Sequence, residues 1–430
     1  MLSVQRRRWL PPANLLPFVV ALIQAGCGSG RQPQDEILGS VREIADTVIF
    51  TTQRPSRFDT AHLVHVARIG RFDGPEDHLL FGSLQFTVGW RGEVYVADEG
   101  GGIRVFSFDG SEVRRIARRG GGPGETIYVT GLEVDQLGRL LAVDYGNRRV
   151  AVFDTAGAVL DHWPLPHGRP GYGRSAVIPI PEHQTLLPLN PPLNPSGGFP
   201  GFPRPIFVRL DSAGVVLDTV FAPVRLNELC PYHDDPYFSA GFWQDYREPM
   251  YPKVKWTGSR SGEVILGCSA KYEVDRVQPD GRVFRVSHER EPMIEPGEVR
   301  DRFVAEREIA NRLGNPGWRW RGPPPPEQKP YYHRFIMGRG GRLWVWPGHL
   351  RKPRPSSGLP KRTVWEDPNT GAFDVFDPDG DFLGPVPLPE GAEFEWFPGE
   401  DAPFFAGDTV WLVRRDSIDV KYIDRMVIHW

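Results

Sequence analysis

The feature that most restricts what this chain can fold into is a self-similarity with a period near 45 residues. Gly92-Glu-Val-Tyr-Val-Ala-Asp98 is followed by Ile103-Arg-Val-Phe-Ser-Phe-Asp109-Gly110. Gly138-Arg-Leu-Leu-Ala-Val-Asp144 is followed by Val150-Ala-Val-Phe-Asp154 and Gly157, an offset of 46 residues at the first Asp and 45 at the second. Looser copies begin at Ile206-Phe-Val-Arg-Leu-Asp211, Gly262-Glu-Val-Ile-Leu266, Gly341-Arg-Leu-Trp-Val-Trp346 and Gly407-Asp-Thr-Val-Trp-Leu-Val413. Val94 and Val96 alternate with Tyr95 and Ala97, which is a strand period. Asp-Gly and Asp-x-x-Gly between the runs supply the positive φ that tight hairpins need.

A lone four-stranded antiparallel sheet leaves two faces and two edges in water. Stacking such sheets around an axis buries the faces and shortens the edges, so a repeat of 40 to 50 residues with several strands each reads as a propeller. Glycine and proline, 48 and 44 residues, fit a turn-rich chain. The expected fold class is all-β: a six-bladed β-propeller of four-stranded antiparallel blades spanning 41–430, with one short inserted helix. The blades are expected near 83–117, 128–163, 174–221, 252–288, 331–388 and 393–430, with seven blades as the rival count. The last copy shows only three clear strands. A strand near Thr47–Thr51 or one near Leu63–Ile69 supplies the fourth and closes the ring.

Three insertions break the rhythm: 190–205, 295–330 and 347–360. The second opens as a helix, with Pro296 in its first turn, Gly314 just past its end, and Val299, Phe303, Ile309 or Ala310, and Leu313 at helical spacing. The proline run 323–326 then continues as extended chain. The segment either packs across one face of the wheel and partly covers the channel, or is a plain connection between blades.

The first 26 residues read as a secretory signal. Arg6, Arg7 and Arg8 precede the apolar stretch Leu15–Ile23, which is too short to span a bilayer, and Ala25-Gly26 lead into Cys27. The small residues before Cys27 resemble a bacterial lipobox, with Gln24 at a usually aliphatic position. The resemblance implies lipidation of Cys27, and Gly28 after it implies the outer membrane. Residues 27–40 are expected to be a flexible tether. Residues 1–26 carry three Arg and no acid, so their loss takes the formal charge from −3 to −6. That balance does not favour a nucleic-acid partner. In an oxidising compartment Cys230 and Cys268 either form a disulfide or remain two buried thiols.

Gly120-Gly-Gly-Pro-Gly-Glu125, Leu132-Glu-Val-Asp135 and Asn147-Arg-Arg-Val150 resemble the NHL-repeat consensus. Together with Asp46-Thr-Val-Ile-Phe50 and Ile69-Gly-Arg-Phe-Asp-Gly-Pro-Glu76, they make the chain similar to the six-bladed propeller lipoproteins of bacteria over most of 46–428. The resemblance implies a lipid-anchored propeller facing the periplasm or the cell surface.

Little else speaks of chemistry. The Gly120–Gly124 loop lacks the Lys-Ser/Thr ending of a phosphate loop and reads as a blade-to-blade turn. Asp98 and Asp144 end equivalent strands. They either form part of a carboxylate ring around a channel metal, as the resemblance to propeller lactonases implies, or accept backbone N–H groups of the next loop. His233-Asp234-Asp235 has metal-type side chains, but neighbours along one strand rarely reach the same ion. Phe199, Phe202, Trp318, Arg319, Trp320 and Arg321 are of types enriched at interfaces and are the candidate partner contacts. The expected function is an exported binding module at the cell envelope, with a protein, peptide or glycan as partner, no cofactor, and the membrane reached only through the lipid. The alternative is a hydrolase or lyase of the lactonase type with a channel metal.

Overall fold

The computed structural model describes residues 39–44, 47–53, 55–56, 61–73, 78–82, 84–99, 102–111, 113–166, 169–170, 176–190, 206–221, 230, 251–312, 316–347, 371–389, 392, 402–416, 418 and 420–430. Their strands form six sheets. Each sheet is a blade whose first four strands run antiparallel: Gln85–Val88 to Val113–Arg119, Val129–Val134 to Val159–Pro164, Ile178–Ile180 to Val216–Phe221, Val254–Gly258 to Val283–His288, and Arg334–Met337 to Phe382–Pro387. Blade 6 takes Phe404–Ala406, Thr409–Arg415 and Lys421–His429 from the C-terminal end and its fourth strand, His62–Ile69, from the N-terminal end. The six-blade count therefore holds, and of the two strands expected to compete for closure, the later one closes the ring.

Six apolar clusters fill the six seams between blades. Tyr95, Ala97, Leu132 and Ala142 lie between blades 1 and 2, and Val143, Trp163, Leu187 and Val208 between 2 and 3. Ile178, Phe207 and Leu266 fill the next seam, and Val274, Tyr332 and Phe335 the one after. Trp344 stacks on Phe405 between blades 5 and 6, with ring centroids 3.9 Å apart, and Trp411 meets Leu84 and Phe86 where blade 6 returns to blade 1. The alternation in the sequence is what makes this work. Val94 and Val96 face the seam with blade 6, while Tyr95 and Ala97 face the seam with blade 2. Each large side chain hidden this way contributes roughly 2–3 kcal/mol.

The turns follow the local chemistry read from the sequence. Asp377 Oδ1 accepts the N–H groups of Asp379 and Asp381 at 3.0 and 2.9 Å, and Gly380 takes φ 94° to complete the hairpin.

The N-terminal segment has a second structural role. Thr47–Thr52 pairs in parallel with Val283–His288, the outermost strand of blade 4, and Gly39–Ile44 folds back on it as a hairpin. Ser56 N–H then donates to the Phe382 carbonyl of blade 5 at 2.7 Å, before His62–Ile69 joins blade 6. The chain thus passes three blades on its outer side before it begins blade 1. The strand Gly39–Ile44 also moves the boundary of the expected tether, because residues 39 and 40 are already paired with Thr52 and Thr51. Cys27 and the signal segment lie outside the described residues.

Candidate functional site

Strand direction alternates within a blade, so the connections divide between two faces of the wheel. The first-to-second and third-to-fourth connections share one side, here called the turn face. The second-to-third and blade-to-blade connections share the other, the loop face. The long departures from the repeat, 191–205, 222–253, 289–333, 347–371 and 388–403, all leave and rejoin described strands on the loop face. Turn-face connections are tight hairpins such as Gly89–Glu93, Asp154–Ala158 and Asp211–Val215, each closed by backbone hydrogen bonds.

On the loop face, the two aspartates at equivalent strand ends are both in use. Asp98 pairs with Arg104 and accepts Phe81 N–H at 3.1 Å. Fully buried Asp144 accepts the N–H groups of Ile127 and Tyr128 at 3.2 and 3.1 Å. Both brace the blade-to-blade loop that precedes them, and Asp144 also holds the loop that follows it through Asn147 N–H at 3.4 Å. Among the described residues no three His, Cys, Asp or Glu side chains converge as metal ligands do. The Gly120–Gly124 loop is likewise held as a turn: Glu125 accepts Gly122 N–H at 2.7 Å and Arg149 donates to the Gly122 carbonyl at 2.8 Å. Cys230 and Cys268 are joined, with their Cα atoms 5.3 Å apart, which fastens the 222–253 connection to the loop-face end of blade 4.

The helical insertion is rooted at the same end. Pro296 precedes the helix Gly297–Arg312, and Glu298 sits in its first turn, where the helix dipole favours an acid. Glu295 N–H to the Glu327 carbonyl at 2.7 Å and Lys329 N–H to the Met293 carbonyl at 2.9 Å zip the two ends of the insertion together. Phe303 packs against Trp320, which also stacks on Tyr251, just ahead of blade 4, and meets the Trp318 ring. Trp320 N–H donates to Glu308 at 3.0 Å, and its indole N–H to the Pro323 carbonyl at 3.2 Å. Trp320 is therefore an anchor of its own loop. Arg319 and Arg321 are exposed, and Trp318 is half-buried. Phe199, Phe202 and His233–Asp235 lie outside the described residues.

The turn-face mouth of the channel holds a cluster that the repeat did not single out. Arg260 and Arg339 occupy the same position in the first turns of blades 4 and 5, and Trp90 occupies it in blade 1. Arg260 Nη2 donates to the Val134 carbonyl of blade 2 at 2.8 Å, and Arg339 Nη2 to the Val88 carbonyl of blade 1 at 2.9 Å. Neither pair of blades is adjacent, so both side chains reach across the channel, and Arg339 meets Glu133 on the blade opposite its own. They meet on Glu133 of blade 2, which pairs with Arg260 and lies 3.0 Å from Arg339 Nη2. Both guanidiniums also lie over the Trp90 indole, at 5.3 and 4.5 Å from its centroid. The channel is thus bridged by charge at the turn face. Aligning the turns Gly89-Trp-Arg-Gly92, Ser259-Arg-Ser-Gly262 and Gly338-Arg-Gly-Gly341 would have exposed the shared position.

No protein-family model matches the chain, and no curated protein does. Solved structures similar to it include a member of the DUF4221 family from Bacteroides vulgatus, 11% identical over 86% of this chain and 99% of that one, with a TM-score of 0.48. A Bacteroides fragilis protein thought to be exported is 13% identical over 89% and 99% of the two chains, with a TM-score of 0.46. Virginiamycin B lyase from Staphylococcus aureus is 11% identical over 86% and 99%, with a TM-score of 0.40.

Proposed function

We propose that this chain is an exported binding protein of the cell envelope, held there through a lipid on Cys27, that recognises a protein, peptide or glycan with its loop face. The observation that carries the reading is the one-sidedness of the wheel. Among the described blade strands, each long connection leaves and rejoins on the loop face, while the turn face has short hairpins and a mouth crossed by Arg260 and Arg339. Connections placed on a rigid scaffold are where recognition residues accumulate. Arg319 and Arg321 are exposed on an insertion anchored by Trp320, so a partner can meet them without unfolding their loop. The Cys230–Cys268 bridge supports a compartment outside the reducing cytoplasm.

The test is photocrosslinking in the native cell, with a photoreactive residue at Arg319 on the loop face and, in a separate variant, at Asp379 on the turn face. A discrete adduct from position 319 and none from 379 is the expected result. Adducts from 379 alone would reverse the assignment of the recognition face.

A further inference from the structure

The turn-face mouth is more than a closure, because its hydrogen-bond donors crowd onto one carboxylate oxygen. Glu133 Oε1 alone faces four donors: the Thr87 hydroxyl at 3.0 Å, Val134 N–H at 3.2 Å, Arg339 Nη2 at 3.0 Å, and Arg260 Nη2. One carboxylate oxygen has two lone pairs, so these donors compete. Both guanidiniums make their hydrogen bonds through Nη2, and the buried Nε of Arg339 has no partner among the described residues. A buried N–H without an acceptor costs about 1–3 kcal/mol.

The charges point the same way. Burial pulls the Arg339 guanidinium down, Glu133 opposes this, and Arg260 and then Glu93 act more weakly in their own directions. Glu93 acts on Arg339 more weakly than Glu133 does, so Arg260 and Arg339 crowd onto the one Glu133 carboxylate. The neighbouring groups are already matched: Asp135 with Arg139 at 2.8 Å, Glu263 with Arg276 at 3.0 Å, and Gln136 with the Ile180 carbonyl at 2.9 Å. Trp90, 55% exposed, stands at the rim, with its indole N–H fixed on the Asp135 carbonyl at 2.9 Å.

We propose that this mouth is a binding site for a small oxyanion, a carboxylate or phosphate group, held between Arg260 and Arg339 on the axis of the wheel beside Trp90. An oxyanion gives the Arg339 Nε an acceptor and relieves the competition at Glu133 Oε1, and paired guanidiniums grip such a group through two N–H bonds each. The site lies on the face opposite the proposed recognition surface and stands independently of it.

The experiment is calorimetric titration of the full mature chain with inorganic phosphate and, in a separate arm, with acetate, at constant ionic strength set by chloride. Tryptophan fluorescence is followed in parallel. Saturable binding of one anion per chain is expected, and the tighter arm tells phosphate from carboxylate recognition. Arg260→Gln, at the more exposed of the two guanidiniums, weakens binding by about tenfold or more with the circular dichroism spectrum unchanged. Trp90→Phe keeps the heat signal and removes the fluorescence change. Absence of saturable binding in both arms, or binding unaltered in Arg260→Gln, overturns the proposal. A fluorescence change that persists in Trp90→Phe overturns the placement at this mouth.

Discussion

Arg68 and Asp424 clasp the two ends of the chain together, with Nε and Nη2 of the arginine donating to the two carboxylate oxygens at 2.7 and 2.9 Å. Arg68 belongs to the strand that enters from the N-terminal side, and Asp424 is its register partner on the last strand. Arg414 adds a bond of 2.9 Å, and His65 lies 3.4 Å away. Burial opposes ionisation of Asp424, but Arg68, then His65 and Arg414, outweigh it and hold the carboxyl below its ordinary range.

Asp424→Ala should loosen the closure of the ring. Removing one partner of a buried pair costs about 3–5 kcal/mol, and the partial exposure of Arg68 puts this pair at the low end, about 3 kcal/mol. Because the folded carboxyl is depressed, its contribution is present above the ordinary carboxylate pKa and is lost as pH falls through the lower folded value. Urea denaturation at pH 7 and at pH 3 checks both statements: the gap between wild type and variant should narrow at the acid end.

His288 should make the wheel acid-sensitive at a higher pH. Its ring sits 4.4 Å from that of Phe382, and burial first, then the charge of Arg290, pushes its pKa down to about 4. A histidine kept neutral by folding gives its full stabilisation above the unfolded pKa near 6.5 and loses it progressively as pH falls toward 4. At most about 3 kcal/mol is lost across that window. His288→Gln should flatten this part of the stability profile, and a curve as steep as that of the wild type would show that another group is responsible.

Gly214→Ala should be among the costly single-methyl changes in the chain. The glycine has φ 78°, and a Cβ there would lie 2.0 Å from the Trp163 ring of the neighbouring blade. Strained backbone and overpacking together cost about 2–4 kcal/mol. Gly138→Ala serves as the comparison, since it has φ 75° with nothing within 4 Å of its Cβ and so carries only the backbone part. Thermal unfolding of the two variants should separate clearly.

Trp320→Ala and Arg319→Ala should part company. Trp320 fills the space between Phe303 and Tyr251, so its loss should free the 295–330 insertion and cost about 3 kcal/mol locally. Arg319 is exposed, and its loss should change stability by less than about 0.5 kcal/mol. Hydrogen exchange over the helix Gly297–Arg312 is the readout: fast in the first variant, unchanged in the second.

The parts of this fold that were legible in the sequence are those fixed locally. The alternation at Val94–Ala97, the Asp-x-x-Gly turns at Asp154 and Asp211, and the helix start at Pro296 depend on a few consecutive residues. What could not be read was pairing at long range. Thr47–Thr52 and His62–Ile69 look alike as strands, yet one lies beside Val283–His288 and the other beside Lys421–His429, because each choice is made by an edge more than two hundred residues away. Asp98 and Asp144 were legible as a pair at equivalent ring positions, and both proved to be loop braces. Arg260, Arg339, Glu133 and Trp90 were not legible as a cluster, because only closure of the ring brings blades 1, 2, 4 and 5 to a common axis.

The proposal that the wheel works outside the cytoplasm, anchored through Cys27, is checked by an intact mass of the protein recovered from the envelope fraction of its own cells. The predicted species begins at Cys27, carries added lipid mass, and is two hydrogens lighter for the Cys230–Cys268 bridge. A chain from Met1 to Trp430 with three free thiols, recovered from the cytosol, would contradict it.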